Sequence, residues 1–124
     1  MKKVFVDSGG VRARELLGRA ITERWRFVTT NAVVTETCAL LLVRTRERRA
    51  QAIAFLDGLA ATEVKVERVR ASDEAHAFAL VRAHDDEGYS LCDAYSFVVM
   101  QRLRVAHAIA FDRHFREIGK FEVL

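Results

Sequence analysis

Four acidic side chains, each in a different part of the 124-residue sequence, have the clearest potential for chemistry. They are Asp7, Glu36, Asp93 and Asp112. Carboxylates that gather without a basic residue among them repel one another, and a divalent cation usually resolves that repulsion. Oxygen ligands without His or Cys favour Mg²⁺ or Mn²⁺ over zinc. If the four acids meet, the sequence therefore predicts a magnesium or manganese site.

Two of these acids follow apolar runs that are typical of buried strands. Asp7 comes directly after residues 4–6, and Asp112 comes directly after residues 108–111. Ligands of parallel α/β folds bind at the carboxyl ends of the strands, so both carboxylates are expected at the same rim. The structural alternatives are a turn at Asp7 and a helix cap at Asp112.

The other two acids belong to predicted helices. Glu36 interrupts an apolar helix face that includes Val33 and Leu40, where a carboxylate is costly unless a metal ion or an arginine neutralises it. Asp93 lies in the first turn of a helix that begins near Ser90, and a capping box between these two residues is the structural alternative to a metal ligand. Only a short link joins this helix to the next strand, so Asp93 is expected level with the end of that strand.

Hydrophobic periodicity predicts the scaffold that positions these acids. Strands are expected at residues 3–6, 26–29, 62–69, 108–111 and 121–124. Helices are expected at residues 11–25, 32–44, 46–59, 72–85 and 91–103. Thr30 or Asn31 is expected to cap the second helix, and Ser72 the fourth. The alternation predicts one domain over residues 1–124, a three-layer α-β-α sandwich with a mostly parallel, roughly five-stranded sheet.

Composition indicates a globular protein, with 51% hydrophobic and 30% charged residues. The longest apolar run, residues 38–43, is far shorter than the roughly 20 residues that a membrane helix requires. The N-terminus lacks the pattern of a secretory segment, so no membrane association and a cytoplasmic location are expected. Cys38 and Cys92 fit neither a disulfide framework nor a zinc site, and are expected to be small buried residues.

The uneven charge distribution suggests an anionic partner. The net charge is +3 and the pI is near 9.2, but residues 1–62 alone carry a net +5. One arginine cluster could hold a phosphate backbone, although a solvated loop between helices explains it equally well. It comprises Arg44, Arg46, Arg48 and Arg49. His114 could approach a phosphate, but a packing or surface role is favoured. Trp25 and Tyr95 are expected in the core rather than stacked on bases.

Four segments in order resemble the PIN-domain nucleases, most closely the small VapC-like toxins. They are VFVDS at 4–8, TTNAVVTE at 29–36, SLCDA at 90–94 and AFDRHF at 110–115. The resemblance implies that Asp7, Glu36, Asp93 and Asp112 form an acidic site for Mg²⁺ or Mn²⁺. It also implies metal-dependent endoribonuclease activity on RNA, a homodimer and a small antitoxin partner. Ser8 and Ser90 match hydroxyl positions that would orient carboxylates or water.

Other functions stay open beside this resemblance. A PIN-fold module that binds RNA or protein without cleaving would use its acids for a structural ion or for pairing with arginines. A phosphatase is disfavoured because Asp7 has no second aspartate close behind it. Family members also carry additional residues where Gly10 here runs directly into Val11. This shortening predicts either a cleft that is open on that side or a loop missing from the given chain.

Overall fold

Five short strands form one sheet in which every pairing is parallel. The computed structural model describes residues 2–6, 22–42, 46–84, 88–109 and 122–123, with backbone alone for 6, 46–48, 109 and 122–123. The strands are β1 Lys3–Val6, β2 Arg26–Thr30, β3 Lys65–Glu67, β4 His107–Ile109 and β5 Glu122–Val123. They lie in the order β3-β2-β1-β4-β5. The predicted α/β fold with a parallel, five-stranded sheet is confirmed.

Two helices connect β2 to β3, and two more connect β3 to β4. They are α1 Asn31–Leu42, α2 Arg46–Ala61, α3 Ala71–Ala83 and α4 Leu91–Leu103. α1 packs against α2, α3 packs along α4, and α1 also contacts α4. No helix in the described part of the chain is long and apolar enough to cross a membrane.

The central strand β1 ends level with both of its neighbours. Phe5 is in register with Val28 of β2, and Val6 is in register with Ile109 of β4. All three strands therefore end at one edge of the sheet, which we call the carboxyl edge, and begin at the opposite amino edge. The chain proceeds from β1 to β2 and β3 on one side of β1, and then crosses to β4 on the other side of β1. Such a switch in strand order creates a ligand-binding crevice at the carboxyl edge.

The core is built around α4, whose residues 96–100 are all buried. Phe97 and Met100 of this helix join Phe5 of β1 in the main apolar cluster. A helix that is buried on several sides can carry few polar groups, and Ser96 satisfies its hydroxyl by donating to the backbone oxygen of Cys92 at 3.1 Å. Burial therefore holds α4 firmly, and the first turn of α4 contains Asp93.

Two helix starts show which caps form. Thr30 Oγ1 accepts the backbone N–H of Val33 at 3.2 Å, so Thr30 caps α1 as predicted. The prediction that Ser72 caps the helix at 72–85 is wrong, because α3 begins at Ala71 with Arg70 as its N-cap. The carboxylate of Asp73 explains the earlier start, since Oδ2 accepts the Arg70 N–H at 2.9 Å.

The third strand is shorter than the predicted 62–69. β3 covers only Lys65–Glu67, and Val69 N–H donates to Asn31 Oδ1 at 2.9 Å rather than to a neighbouring strand. Asn31 is the first residue of α1, so this bond ties the β3–α3 link to the start of α1.

The cysteines also differ from expectation. Cys38 and Cys92 are free and half-buried, not fully buried. The junction between Gly10 and Val11 lies outside the described residues.

Candidate functional site

Asp93 is buried at the start of α4, where it forms the predicted capping box with Ser90. Its side chain is at the N3 position and the residue is 7% exposed. Asp93 Oδ2 accepts the Ser90 N–H at 2.9 Å, and Ser90 Oγ accepts the Asp93 N–H at 3.1 Å. The cap therefore orients the carboxylate, and carboxylate oxygens are the ligands that Mg²⁺ and Mn²⁺ prefer.

Glu36 lies in the second turn of α1 and is half-buried. The face around it changes from core to solvent along the helix, since Val33 is buried whereas Leu40 is 60% exposed. The expectation that Leu40 shares a buried apolar face with Glu36 is therefore wrong. Partial exposure lowers the cost of keeping a charged carboxylate at this position.

The elements that carry these two acids start at the same edge of the sheet. α1 follows the last residue of β2 directly, so its first turns lie at the carboxyl edge. Three residues separate the end of α4 from β4, which forces helix and strand to run in opposite directions and places the start of α4 level with the end of β4. α1 and α4 also pack together. The fold therefore brings the helix turns that carry Glu36 and Asp93 to one side of the sheet.

The remaining predicted site residues lie mostly outside the described part of the chain. Asp7, Ser8, Asp112, Arg44 and His114 belong to this group. Among the described residues, no group of three or more His, Cys, Asp and Glu side chains could hold a metal ion. The two described acids supply oxygen ligands from separate helices, which fits Mg²⁺ or Mn²⁺ as part of a larger ligand set.

Three members of the predicted arginine cluster lie at a helix start. Arg46, Arg48 and Arg49 belong to the first turn of α2, and Arg49 is exposed. A role of this cluster in RNA binding stays a prediction.

A second group of charged residues, absent from the sequence predictions, joins β3, α3 and α4. Asp73 is 2% exposed and accepts from Arg102 through Nε at 3.0 Å and Nη2 at 2.9 Å. Arg102 also donates from Nη1 to Glu67 Oε1 at 2.9 Å and from Nη2 to the Arg68 backbone oxygen at 3.2 Å. We call Glu67, Asp73 and Arg102 the Arg102 cluster.

Arg102 and the two acids of the Arg102 cluster stabilise each other's charged forms. The Arg102 hydrogen bond holds the pKa of Glu67 below its usual value. Burial raises the pKa of Asp73, but the bonds from Arg102 and from the Arg70 N–H outweigh burial and leave that pKa lowered. Bonding to Asp73 raises the pKa of Arg102 in turn. No local pattern could have revealed this cluster, because its members lie far apart in sequence.

Both aromatic residues considered for base stacking belong to the core, as predicted. Trp25 is 8% exposed, and Lys2 Nζ lies 4.6 Å from the centroid of its ring. Tyr95 packs against the main apolar cluster, and burial raises its pKa. Trp25 is thus buried, and Tyr95 is half-buried against the core.

Comparison with known proteins identifies similar sequences and structures. A family model for the PIN domain matches residues 5–121. The 23S rRNA-specific endonuclease VapC20 of Mycobacterium tuberculosis, from strains CDC 1551 / Oshkosh and ATCC 25618 / H37Rv, is 40% identical over 96 residues. This match covers 77% of the present chain and 72% of the relative.

A solved structure agrees with the sequence matches. The crystal structure of Mycobacterium tuberculosis VapC20, described as a sarcin-ricin loop cleaving toxin, superposes with a TM-score of 0.77 at 32% sequence identity. The superposition covers 97% of the present chain and 98% of the other.

Proposed function

Because the chain belongs to the PIN domain family, we propose that it is an endoribonuclease that depends on Mg²⁺ or Mn²⁺ and acts as the toxin of a toxin–antitoxin pair. The observation that carries the proposal is the buried, oriented carboxylate of Asp93 at a helix start that faces the carboxyl edge of the sheet. The similarity to an endonuclease named for 23S rRNA supports ribosomal RNA as the substrate class.

In this proposal Asp7, Asp93 and Asp112 hold the metal ion, and Glu36 positions the attacking water or a second ion. A bound divalent ion would lower the pKa of water and stabilise charge on the phosphate. Asp7 and Asp112 follow strands, whose rigidity would aim their carboxylates. Ser90 orients Asp93 through the capping box, and Ser8 is assigned a similar supporting role.

Removal of metal tests this proposal directly. The purified chain is incubated with 23S rRNA in Mg²⁺ or Mn²⁺ and in EDTA, and the cleavage products are mapped at nucleotide resolution. We expect discrete cuts with either metal, none in EDTA, and recovery when metal is added back. Full cleavage in EDTA would contradict the metal-dependent chemistry.

A non-cleaving PIN-fold binding module is the second candidate. The observation that favours it is the capping box, which gives Asp93 a structural role without any metal. Retention of intact RNA by the purified chain in every metal tested would support the module over the nuclease.

Partners and location complete the proposal. We assign the chain a homodimeric state, an antitoxin partner and a cytoplasmic location. Large apolar side chains on α1 and α2 support a protein partner, because they are 44–60% exposed. They are Leu40, Leu42, Ile53 and Leu56. Light scattering of the purified chain tests the dimer, which predicts twice the mass of the single chain.

A further inference from the structure

The amino edge of the sheet, opposite the proposed cleavage site, carries a row of cations. Three neighbouring strands begin with a basic residue: Lys65 in β3, Arg26 in β2 and Lys3 in β1. Lys3 is in register with Arg26, and Lys65 is in register with Val28, two residues after Arg26. Because side chains alternate along a strand, all three cations lie on the same face of the sheet.

These cations line a cleft with a volume of about 380 Å³, which we call the amino-edge cleft. Phe27, Val28 and Leu103 also line the cleft, and Glu63 contributes a carboxylate. Among the described lining residues, three cations thus share a concave surface with one acid, so they give the lining an excess of positive charge.

All three cations of the cleft are exposed, so an anion can reach them. Lys3 and Arg26 lie in register on adjacent strands. Lys65 Nζ lies 3.5 Å from Glu67 Oε2, but its side chain is 72% exposed, so water screens this pair and the ammonium group stays accessible to a ligand. Exposed Arg24 and Arg104 lie near the lining segments in sequence, as does the exposed acid Glu23.

We propose that the amino-edge cleft binds the phosphate backbone of single-stranded RNA at a distance from the cleavage site. The inference rests on the proposed nuclease function, since that function supplies the long RNA. A positively charged groove that tracks the phosphate backbone is a recurring feature of surfaces that bind single-stranded nucleic acid. The five residues of β2 separate the two edges by about 17 Å, so RNA that continues past the cut site can reach the cleft.

RNA binding without cleavage tests the cleft. The full chain is titrated in EDTA with a labelled single-stranded RNA of about 20 nucleotides, at several salt concentrations. Each phosphate contact on single-stranded RNA contributes about −0.7 to the slope of log affinity against log salt. We expect the triple variant Lys3→Gln, Arg26→Gln, Lys65→Gln to bind about tenfold more weakly, with a slope shallower by about 2.

Two single variants make the test specific. Arg68→Gln removes one exposed charge just after β3 and outside the cleft lining, so its affinity and slope should match those of the wild type. Glu63→Gln removes the acid of the cleft and should tighten RNA binding about two- to threefold through reduced repulsion. A triple variant whose slope equals that of the wild type would overturn the inference. The same variants are also titrated with polyglutamate, which represents an acidic protein. A triple variant that loses polyglutamate binding but retains RNA binding would also overturn the inference, in favour of an acidic protein partner.

Cleavage assays then separate failure of the cleft from failure of the nuclease. The ratio of the KM for long RNA to the KM for a short oligonucleotide should rise in the triple variant, because only long RNA reaches the cleft. An unchanged ratio in an active enzyme would reject the cleft alone. Absence of cleavage by the wild type would reject the nuclease, while the salt slopes in EDTA still decide whether the cleft binds RNA.

Discussion

Asp73 and Asp93 occupy the same position in successive helices but bond to different parts of the molecule. Each is buried at N3, and each accepts the N-cap N–H at 2.9 Å. Asp73 also holds Arg102, which reaches it from the last turns of α4, whereas Asp93 exchanges bonds with Ser90 at the start of α4. The two acids therefore stand at opposite ends of the α3–α4 pair.

The difference teaches that burial and helix position do not by themselves assign a role to an acid. Asp73 ties α3 to α4 through Arg102, which also holds Glu67 of β3, so removal of Asp73 should affect the stability of the whole fold. The capping box of Asp93 lies within one helix start and asparagine can keep its acceptor, so Asp93→Asn should leave the fold largely intact. If Asp93 is a metal ligand, its loss should instead appear in the chemistry.

The largest expected effect is on the activity of Asp93→Asn. Loss of a metal-binding carboxylate should remove about 4 kcal/mol of transition-state stabilisation, or roughly a thousandfold in kcat/KM for RNA cleavage. Asparagine keeps an acceptor for the Ser90 N–H, so the free energy of unfolding should change by about 1 kcal/mol or less. Cleavage kinetics and urea unfolding measure the two quantities. Wild-type activity in this variant would make Asp93 a cap and nothing more.

Asp73→Asn should show the opposite profile. Asn weakens the bonds from Arg102, which keeps Glu67 as its remaining acidic partner, and we expect the free energy of unfolding to fall by about 2 kcal/mol. Activity measured well below the melting temperature should stay within about threefold of the wild type, because the residue holds helices together rather than contacting substrate. A large activity loss with normal stability would erase the contrast between the two acids.

Acid should remove the advantage of Asp73 over asparagine. A carboxylate with a lowered folded pKa stabilises the fold above its unfolded pKa, which is about 4, and that contribution disappears as pH falls through the folded pKa. The difference in melting temperature between the wild type and Asp73→Asn should be largest near pH 7 and shrink below about pH 4. A melting-temperature difference that grows as the pH falls would show that folding raises the pKa of Asp73 instead of lowering it.

The smallest effect is expected at the caps themselves. Ser90→Ala removes the hydroxyl that accepts the Asp93 N–H and should cost about 1 kcal/mol of stability. It should also lower cleavage about tenfold if Ser90 orients Asp93. Ser72→Ala is the matched control, because Ser72 is an exposed residue inside α3 and its loss should change stability by about 0.5 kcal/mol or less. Equal losses of stability and of cleavage in Ser90→Ala and Ser72→Ala would show that the Ser90 cap has no special role.

Local patterns predicted much of the fold. The bounds of β1 and α4, the parallel sheet and the cap at Thr30 all follow from short-range periodicity and hydrogen bonding, which the sequence displays directly. The Ser90–Asp93 capping box was also visible as a three-residue spacing. These features need no knowledge of distant residues.

Features that depend on distant contacts were missed. Ser72 resembled a cap, but the Asp73 carboxylate moved the helix start, and Arg102 approaches that carboxylate from 29 residues away. β3 was expected to be longer because nothing local shows that Asn31 binds Val69 across 38 residues. Leu40 was placed on a buried face that periodicity alone could not distinguish from a partner surface. The joint metal site of Asp7, Glu36, Asp93 and Asp112 stays a prediction.

The central position of β1 has a consequence for synthesis of the chain. β1 is made first, yet one of its two partners is β4, and the paired residues Val4 and His107 are about a hundred positions apart. Contacts of such long sequence separation form late, so a growing chain cannot complete the sheet until β4 has left the ribosome.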